Sequence, residues 1–408
     1  MKSSRMQTET AIVKWSTRRM FSSGAAIALC IVATQFSLPA PLSAQNAAVV
    51  SNAAHTVRTE VTLAANIEQF WTADRLLSAR PIEASLRVAA DGLPMVADSA
   101  AAFAGPAIKV NGGLPSVKVG NTLQKTLISA EALADQAAFE ANTLLPPIAP
   151  EATSPFGARF TTSRVFPDAA TLAYPYRTAG KLYFHDPRTG GNFVCSASVL
   201  RPRLIVTAGH CVTHPSTNAA LRYFYTNFLF IPVYNNGSAP LGTWTPSQEW
   251  VTNAWYMSDG SVPNQQDVAM IIARDQGTKL GYVTGYLGYY TGQLANNNVT
   301  MLGYPCNLDS CAKMQETFAQ TYQYGGNNTY IYGSAMKGGA SGGPWIQDFG
   351  INPAGAPAGL LAHNYLVAVT SYGPVNTALM YLGASNLDSR FITLLNDACG
   401  PATTGNCN

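Results

Sequence analysis

The chain has 408 residues, 47% hydrophobic and 12% charged, with a formal net charge of +3 at pH 7. That length exceeds one average domain and the apolar content supplies a core, which excludes a disordered chain. The small net charge, without a Lys/Arg cluster, argues against nucleic acid as a partner. At the N-terminus Thr17-Arg18-Arg19-Met20-Phe21 precedes an uncharged apolar stretch from Gly24 to Leu38, and Leu42-Ser43-Ala44 offers a small-residue cleavage site before Gln45. This is the layout of an export signal, and the paired arginines resemble a bacterial twin-arginine signal. The apolar stretch ends at Pro39 and Pro41, short of the roughly 20 residues a membrane span needs. Residues 1–44 are therefore expected to be removed, taking Cys30 with them, leaving a secreted protein with no stable membrane span.

From Gln45 to about Arg159 the chain is alanine-rich and cysteine-free. One helix is expected with Asn66 as cap and Gln69 three residues on, apolar residues Ile67, Phe70, Trp71 and Leu77 near one face, and Pro81 as its end. A second is expected over Ser129 to Asn142. Pro146, Pro147, Pro150 and Pro155 then read as a linker. Residues 45–160 are expected to be a propeptide or N-terminal extension, and 161–408 a separate domain.

Beyond the linker short apolar runs alternate with Gly, Asn and Pro, which predicts an all-β domain of barrels in place of alternating βα units. The clearest strands are Lys181 to Phe184, Val194 to Leu200, Leu204 to Thr207, Arg222 to Phe230, Val268 to Ala273, Val299 to Leu302, Thr317 to Tyr324, Tyr330 to Tyr332, Trp345 to Gln347, Leu366 to Ser371 and Ala378 to Leu382. A closing helix over 386–398 is predicted, capped by Ser385 with Asp388 three residues later, its apolar stripe formed by Leu387, Phe391, Leu394, Leu395 and Ala398.

Within this region Leu204 to Thr207 delivers His210 to a turn bracketed by Cys195 and Cys211. If those two cysteines pair, the loop they close contributes about 3 kcal/mol by chain entropy and pins the backbone beside His210. A histidine held rigidly is a candidate general base, because an imidazole titrating near neutrality can both take and return a proton.

Thr207-Ala208-Gly209-His210-Cys211 resembles the histidine motif of trypsin-like serine proteases. Asp267-Val268-Ala269-Met270-Ile271 is similar to that family's aspartate strand, and Gly338-Gly339-Ala340-Ser341-Gly342-Gly343-Pro344 to its nucleophile loop. The order His210, Asp267, Ser341 is the chymotrypsin order, unlike that of subtilisins or α/β-hydrolases. The resemblance implies two six-stranded antiparallel β-barrels of chymotrypsin type with a C-terminal helix, barrel one over about 178–278 and barrel two over about 279–385. It also implies a Ser341–His210–Asp267 triad in the cleft between them, with the backbone N–H groups of Gly339 and Ser341 as oxyanion hole. Ala335, Ser371, Tyr372 and Gly373 occupy its substrate-binding positions. The cysteine after the histidine bridges upstream in the family, and nearest-neighbour pairing then gives Cys195–Cys211, Cys306–Cys311 and Cys399–Cys407, although six cysteines leave other pairings open.

Departures from the family bear on activation and specificity. Trypsin-type zymogens are activated when a new N-terminus pairs with an aspartate just before the serine, and Ala340 stands there. That makes the chain more like the bacterial glutamyl-endopeptidase branch. Ala335 lacks the counter-charge of a Lys/Arg-specific pocket, and Val369 to Gly373 lacks the histidine that glutamate specialists carry. Asp259 in a Ser-Asp-Gly turn and Asp275 beyond the strand are weaker candidates than Asp267. His210 and His214 are four apart like helical zinc ligands, but no glutamate lies between them and Pro215 follows. His185 and His363 are expected to be surface or satisfied histidines. The expectation is a secreted, monomeric serine endopeptidase made as a zymogen and acting on polypeptides, with no metal or cofactor; the alternative is a catalytically silent homologue that only binds.

Overall fold

The computed structural model describes residues 48–88, 94–95, 106–117, 123–134, 159–292, 294, 297–323, 329–350, 363–374, 376, 378–400 and 405–408. The export signal, the proline-rich connector and the far end of the second upstream helix lie outside the described residues. No helix among the described residues is long and apolar enough to cross a membrane.

Twelve strands form two antiparallel barrels. Barrel one contains β1 (Ala179–His185), β2 (Asn192–Val199), β3 (Leu204–Thr207), β4 (Thr226–Pro232), β5 (Pro246–Thr252) and β6 (Ala269–Ala273). Their order is β5-β6-β3-β2-β1-β4, and the bridge from Phe230 in β4 to Trp244, two residues ahead of β5, closes the ring. Barrel two contains β7 (Asn298–Gly303), β8 (Gln315–Gln320), β9 (Thr329–Gly333), β10 (Pro344–Gln347), β11 (Tyr365–Tyr372) and β12 (Tyr381–Asn386). Their order is β9-β12-β11-β10-β7-β8, and Tyr322–Gln323, continuing from β8, pairs back onto β9. This is the all-β, two-barrel architecture of chymotrypsin type. All five residues of β6 are buried, so this strand is apolar throughout and legible as a short hydrophobic run.

Further strands, some of them from the upstream segment, enlarge the two sheets to nine and ten strands. His55–Thr59 pairs antiparallel with β5, Val49–Ser51 pairs with His55–Thr59, and Arg80–Pro81 pairs parallel with β2. On the other barrel Phe160–Arg164 pairs with β8, and Lys109–Val110 pairs with Gly288–Tyr290, which lies beside β11. The expected boundary between an upstream unit and the barrels is thus crossed by backbone pairing.

Three local expectations change. The first upstream helix is two short ones: Ala64–Phe70, which holds Asn66 inside it, and Ala73–Leu77, capped by Thr72; Pro81 belongs to a strand. The second begins at residue 130, with Ser129 Oγ accepting from Ala132 N. The closing helix is Ser389–Cys399, and its cap is Asp388, whose carboxylate accepts from Arg390 N at 2.8 Å and Phe391 N at 3.4 Å. Ser385 remains in β12 and donates to Asn264 O. The stronger acceptor wins the cap, because an ionised carboxylate also favours the positive end of the helix dipole.

Strand β5 has no clear sequence signal, because Pro246, Gln248 and Glu249 read as polar. It is paired on both edges, with β6 and with His55–Thr59. Glu249 is 0% exposed; Arg58 Nη1 is 3.4 Å away, while neither carboxyl oxygen has a hydrogen-bond partner. Burial pushes the Glu249 carboxyl up to about 8, with Glu60 adding to the rise and Arg58 and Arg274 opposing it. A carboxyl that stays protonated in the fold but ionises when unfolded contributes stability below its unfolded pKa, near 4.5, and that contribution is lost as pH rises toward 8. Glu249→Gln should therefore show a smaller drop in melting temperature between pH 5 and pH 8 than the native chain. Equal drops would refute this account of Glu249.

Candidate active site

Strand β3 ends at Thr207, and the next residues turn through a short 3-10 segment, Gly209–Cys211, that carries His210. Cys211 is bonded to Cys195 of β2. The other disulfides are Cys306–Cys311 and Cys399–Cys407. Gly209 lies against the Trp255 indole, where an added Cβ would stand 2.7 Å from the ring, so the turn has room for glycine alone. Asp267 lies two residues ahead of β6, which is paired through Ala269 to Ile272 with β3. This register brings the two residues together although 57 positions separate them.

Asp267 is completely buried and grips His210 twice: Oδ1 accepts from the backbone N–H at 2.8 Å and Oδ2 lies 2.8 Å from Nδ1. Ser371 Oγ, from β11 of the other barrel, donates to Oδ2 at 2.6 Å. Nδ1 of the imidazole thus faces the carboxylate and Nε2 is the ring nitrogen left for other partners. Nε2 is buried and has no hydrogen-bond partner, so Ser341 Oγ does not bond to it in this conformation.

Ser341 lies in the loop between β9 and β10. The loop is fastened to barrel one: Ser341 O accepts from Ser196 N at 2.7 Å, and a Cβ on Gly342 would collide with Thr207 Oγ1 and Ser196 O. Gly339 has φ +97°, and a Cβ there would be 2.5 Å from Tyr304 O; only glycine satisfies both demands. Among the described residues neither Gly339 N–H nor Ser341 N–H has a hydrogen-bond partner. Ala340 is fully buried in the apolar core of barrel two with Met301, Met336 and Trp345.

The cleft beside Ser341 is lined by Lys337, Gly338, Thr370, Ser371, Tyr372, Gly373 and Leu382. Ala335 does not line it; its backbone bonds to Thr162 Oγ1 and Asn307 Nδ2 instead. Ser371, expected at the substrate, directs its hydroxyl to Asp267. Tyr372 is buried, its ring packed over Gly383, and a Cβ on Gly373 would meet only Leu382 Cδ2, at 3.1 Å, so the mouth is open there. Lys337 was not singled out by sequence: its Nζ donates to Leu379 O at 2.5 Å, and burial pushes its pKa down to about 8 against the pull of Glu83. Its position four residues before the serine was the available signal.

Glu83, Ala84 and Leu86 from upstream also line this cleft. The chain arrives on β2 at Arg80–Pro81, passes Gly338, where a Cβ would stand 2.6 Å from Glu83 Oε1, and leaves along Ser261–Val262 through Ser85–Leu86. Both pairings are parallel.

The competing residues are engaged elsewhere. Asp259 pairs with Arg87 and Asp275 with Arg203. His214 stacks on Tyr223, away from any second ligand. Among the described residues the only grouped metal-type ligands are Cys195, His210 and Cys211, and those sulfurs form a disulfide. His185 Nδ1 meets Asn192 Oδ1 at 3.0 Å, whereas His363, expected at the surface or satisfied, is 2% exposed with Nδ1 unpartnered.

No family model matches the chain. It is 27% identical to the glutamyl endopeptidase of Bacillus licheniformis over 181 residues, 43% of this chain and 51% of that protein. It is 24% identical to an extracellular metalloprotease of Bacillus subtilis over 139 residues, 34% of this chain and 42% of that protein. The chain thus spans about half the length of the curated relatives it matches. Among solved structures, the protease Anisep from Arthrobacter nicotinovorans is 25% identical with a TM-score of 0.45, over 54% of this chain and 94% of that one. The chain is similar to the trypsin-like serine proteases, on their glutamyl-endopeptidase branch.

Proposed function

We propose that this protein is a secreted serine endopeptidase in which Ser341, His210 and Asp267 act as the catalytic triad. The observation that carries the reading is the His210–Asp267 pair: a buried carboxylate faces Nδ1 and leaves a buried, unpartnered Nε2, and Ser371, which donates to the same carboxylate, lines the cleft together with Ser341. In this scheme Nε2 takes the Ser341 proton as Oγ attacks the peptide carbonyl, and the imidazolium formed is stabilised by Asp267. The free N–H groups of Gly339 and Ser341 hold the oxyanion. His210 then returns the proton to the leaving amine, and water attacks the acyl-enzyme by the same route. Apo geometry with Ser341 Oγ off Nε2 is compatible with this, because such bonds often tighten only with substrate bound.

We also propose that the chain is made as a precursor with an export signal over 1–44 and a propeptide from 45 to about 160. Glu83, Ala84 and Leu86 in the wall of the cleft support this, since a polypeptide substrate needs the same space. The rival reading is a silent homologue that binds polypeptides without cleaving them. A biotinylated fluorophosphonate decides between the two: one label per processed chain, at Ser341 and absent from Ser341→Ala, is expected, and failure of the secreted, processed chain to label would favour the silent homologue.

A further inference from the structure

The oxyanion donors depend on how three successive peptide planes are turned. In a trans peptide the N–H and C=O point opposite ways, so whatever holds the carbonyl also aims the amide. Gly338 O accepts from Cys306 N at 2.7 Å, which turns Gly339 N–H away from Cys306 and leaves it without a partner. Ala340 O accepts from Gly343 N at 2.9 Å, which aims Ser341 N–H. Between them lies the Gly339–Ala340 peptide. Its N–H reaches Lys337 O at 3.1 Å, and its carbonyl accepts from Ser196 Oγ at 2.8 Å.

Ser196 is the residue that grips this loop from barrel one, and it does so twice. Its hydroxyl holds Gly339 O while accepting from Tyr304 N at 2.9 Å, and its backbone N–H holds Ser341 O at 2.7 Å. It is itself fixed by Thr207 Oγ1, which donates to Ser196 O at 2.8 Å, and by the neighbouring Cys195–Cys211 disulfide. The residue is 1% exposed, so water cannot readily stand in for a lost hydroxyl. Without it Gly339 O and Tyr304 N would both be buried and unpaired, which is costly, and the glycine peptide could turn to find other partners. Ala340 offers no carboxylate to hold the loop from below.

We infer that Ser196 is a positioning residue for the oxyanion hole, its hydroxyl locking the Gly339–Ala340 peptide so that both donors face the cleft without an activating N-terminal salt bridge. The inference rests on Ser341 being the nucleophile. It is tested with protein produced from the full-length chain and processed during secretion, comparing native, Ser196→Ala and Ser196→Gly forms. Both variants keep the backbone N–H and remove the hydroxyl, and the smaller glycine serves if alanine impairs folding. We expect kcat on a peptide anilide to fall about 10- to 100-fold with KM within about twofold, below the 10²–10³ of deleting a donor outright. Affinity for a peptide aldehyde, whose adduct presents an oxyanion, should fall by the same factor as kcat, while fluorophosphonate still titrates one serine per chain. Unchanged kcat, or a loss of kcat with undiminished aldehyde affinity, would overturn the role of Ser196. Absence of fluorophosphonate labelling in the native processed protein would instead remove Ser341 as nucleophile, and this inference with it.

Discussion

Ser341→Ala or His210→Ala should lower casein hydrolysis by a factor of about 10⁶, with secretion and the three disulfides unaffected. The two losses should be similar and should not add in the double variant, because nucleophile and base act in one proton transfer. Asp267→Asn is expected to cost less, about 10⁴. Asparagine preserves the shape but offers Nδ1 an amide that can present N–H, disturbing the tautomer that leaves Nε2 free. Here the carboxylate also accepts from the His210 backbone and from Ser371 Oγ, so the substitution should lower thermal stability as well, which the Ser341 variant should not. Near-native turnover in either the Ser341 or the His210 variant would refute the triad.

The second large effect concerns processing. Full-length precursor should be latent toward proteins, and the active enzyme should begin between about Pro150 and Phe160. The later bound is set by Phe160–Arg164, which pairs through five residues with β8 and would be lost from barrel two by a later cut. The upstream residues at the cleft are tethered on both sides, by β2 and by Ser261–Val262. An occupant in place 99% of the time lowers activity about a hundredfold. The cut itself leaves His55–Thr59 on β5 and Lys109–Val110 on barrel two, so full activity should lag behind cleavage and follow the dissociation or degradation of the upstream piece. N-terminal sequencing and assay of the same time points test this. A fully active species still beginning near Gln45 would identify the upstream residues as a permanent part of the enzyme. Acetylating the mature N-terminus should leave activity intact, because Ala340 is buried among apolar side chains and offers an amino group no partner.

Short motifs that resemble a known family single out His210, Asp267 and Ser341 as candidates, nearest-neighbour spacing offers the three cysteine pairs without excluding others, and short apolar runs mark most barrel strands. For the three candidate residues the signal lies within a few consecutive residues: an apolar run followed by Ala-Gly-His-Cys, an aspartate two residues ahead of a fully buried strand, glycines flanking a serine. Leu204–Thr207 has its predicted limits because both of its neighbours bury it. Tertiary structure alone decided the rest. Strand β5 is paired on both edges, one of them by an upstream strand, and a buried Glu249 has no local signature. Ser371 turns to Asp267 from the opposite barrel, and Ser196 reaches Gly339 across 143 positions; each is an ordinary serine until pairing of distant strands supplies its partner. Glu83, Ala84 and Leu86 carry no catalytic pattern, and their place beside Ser341 follows from two short parallel pairings whose partners lie more than a hundred residues downstream. Hydrogen bonds of this kind depend on where folded strands meet, which the spacing of residues along the chain does not encode.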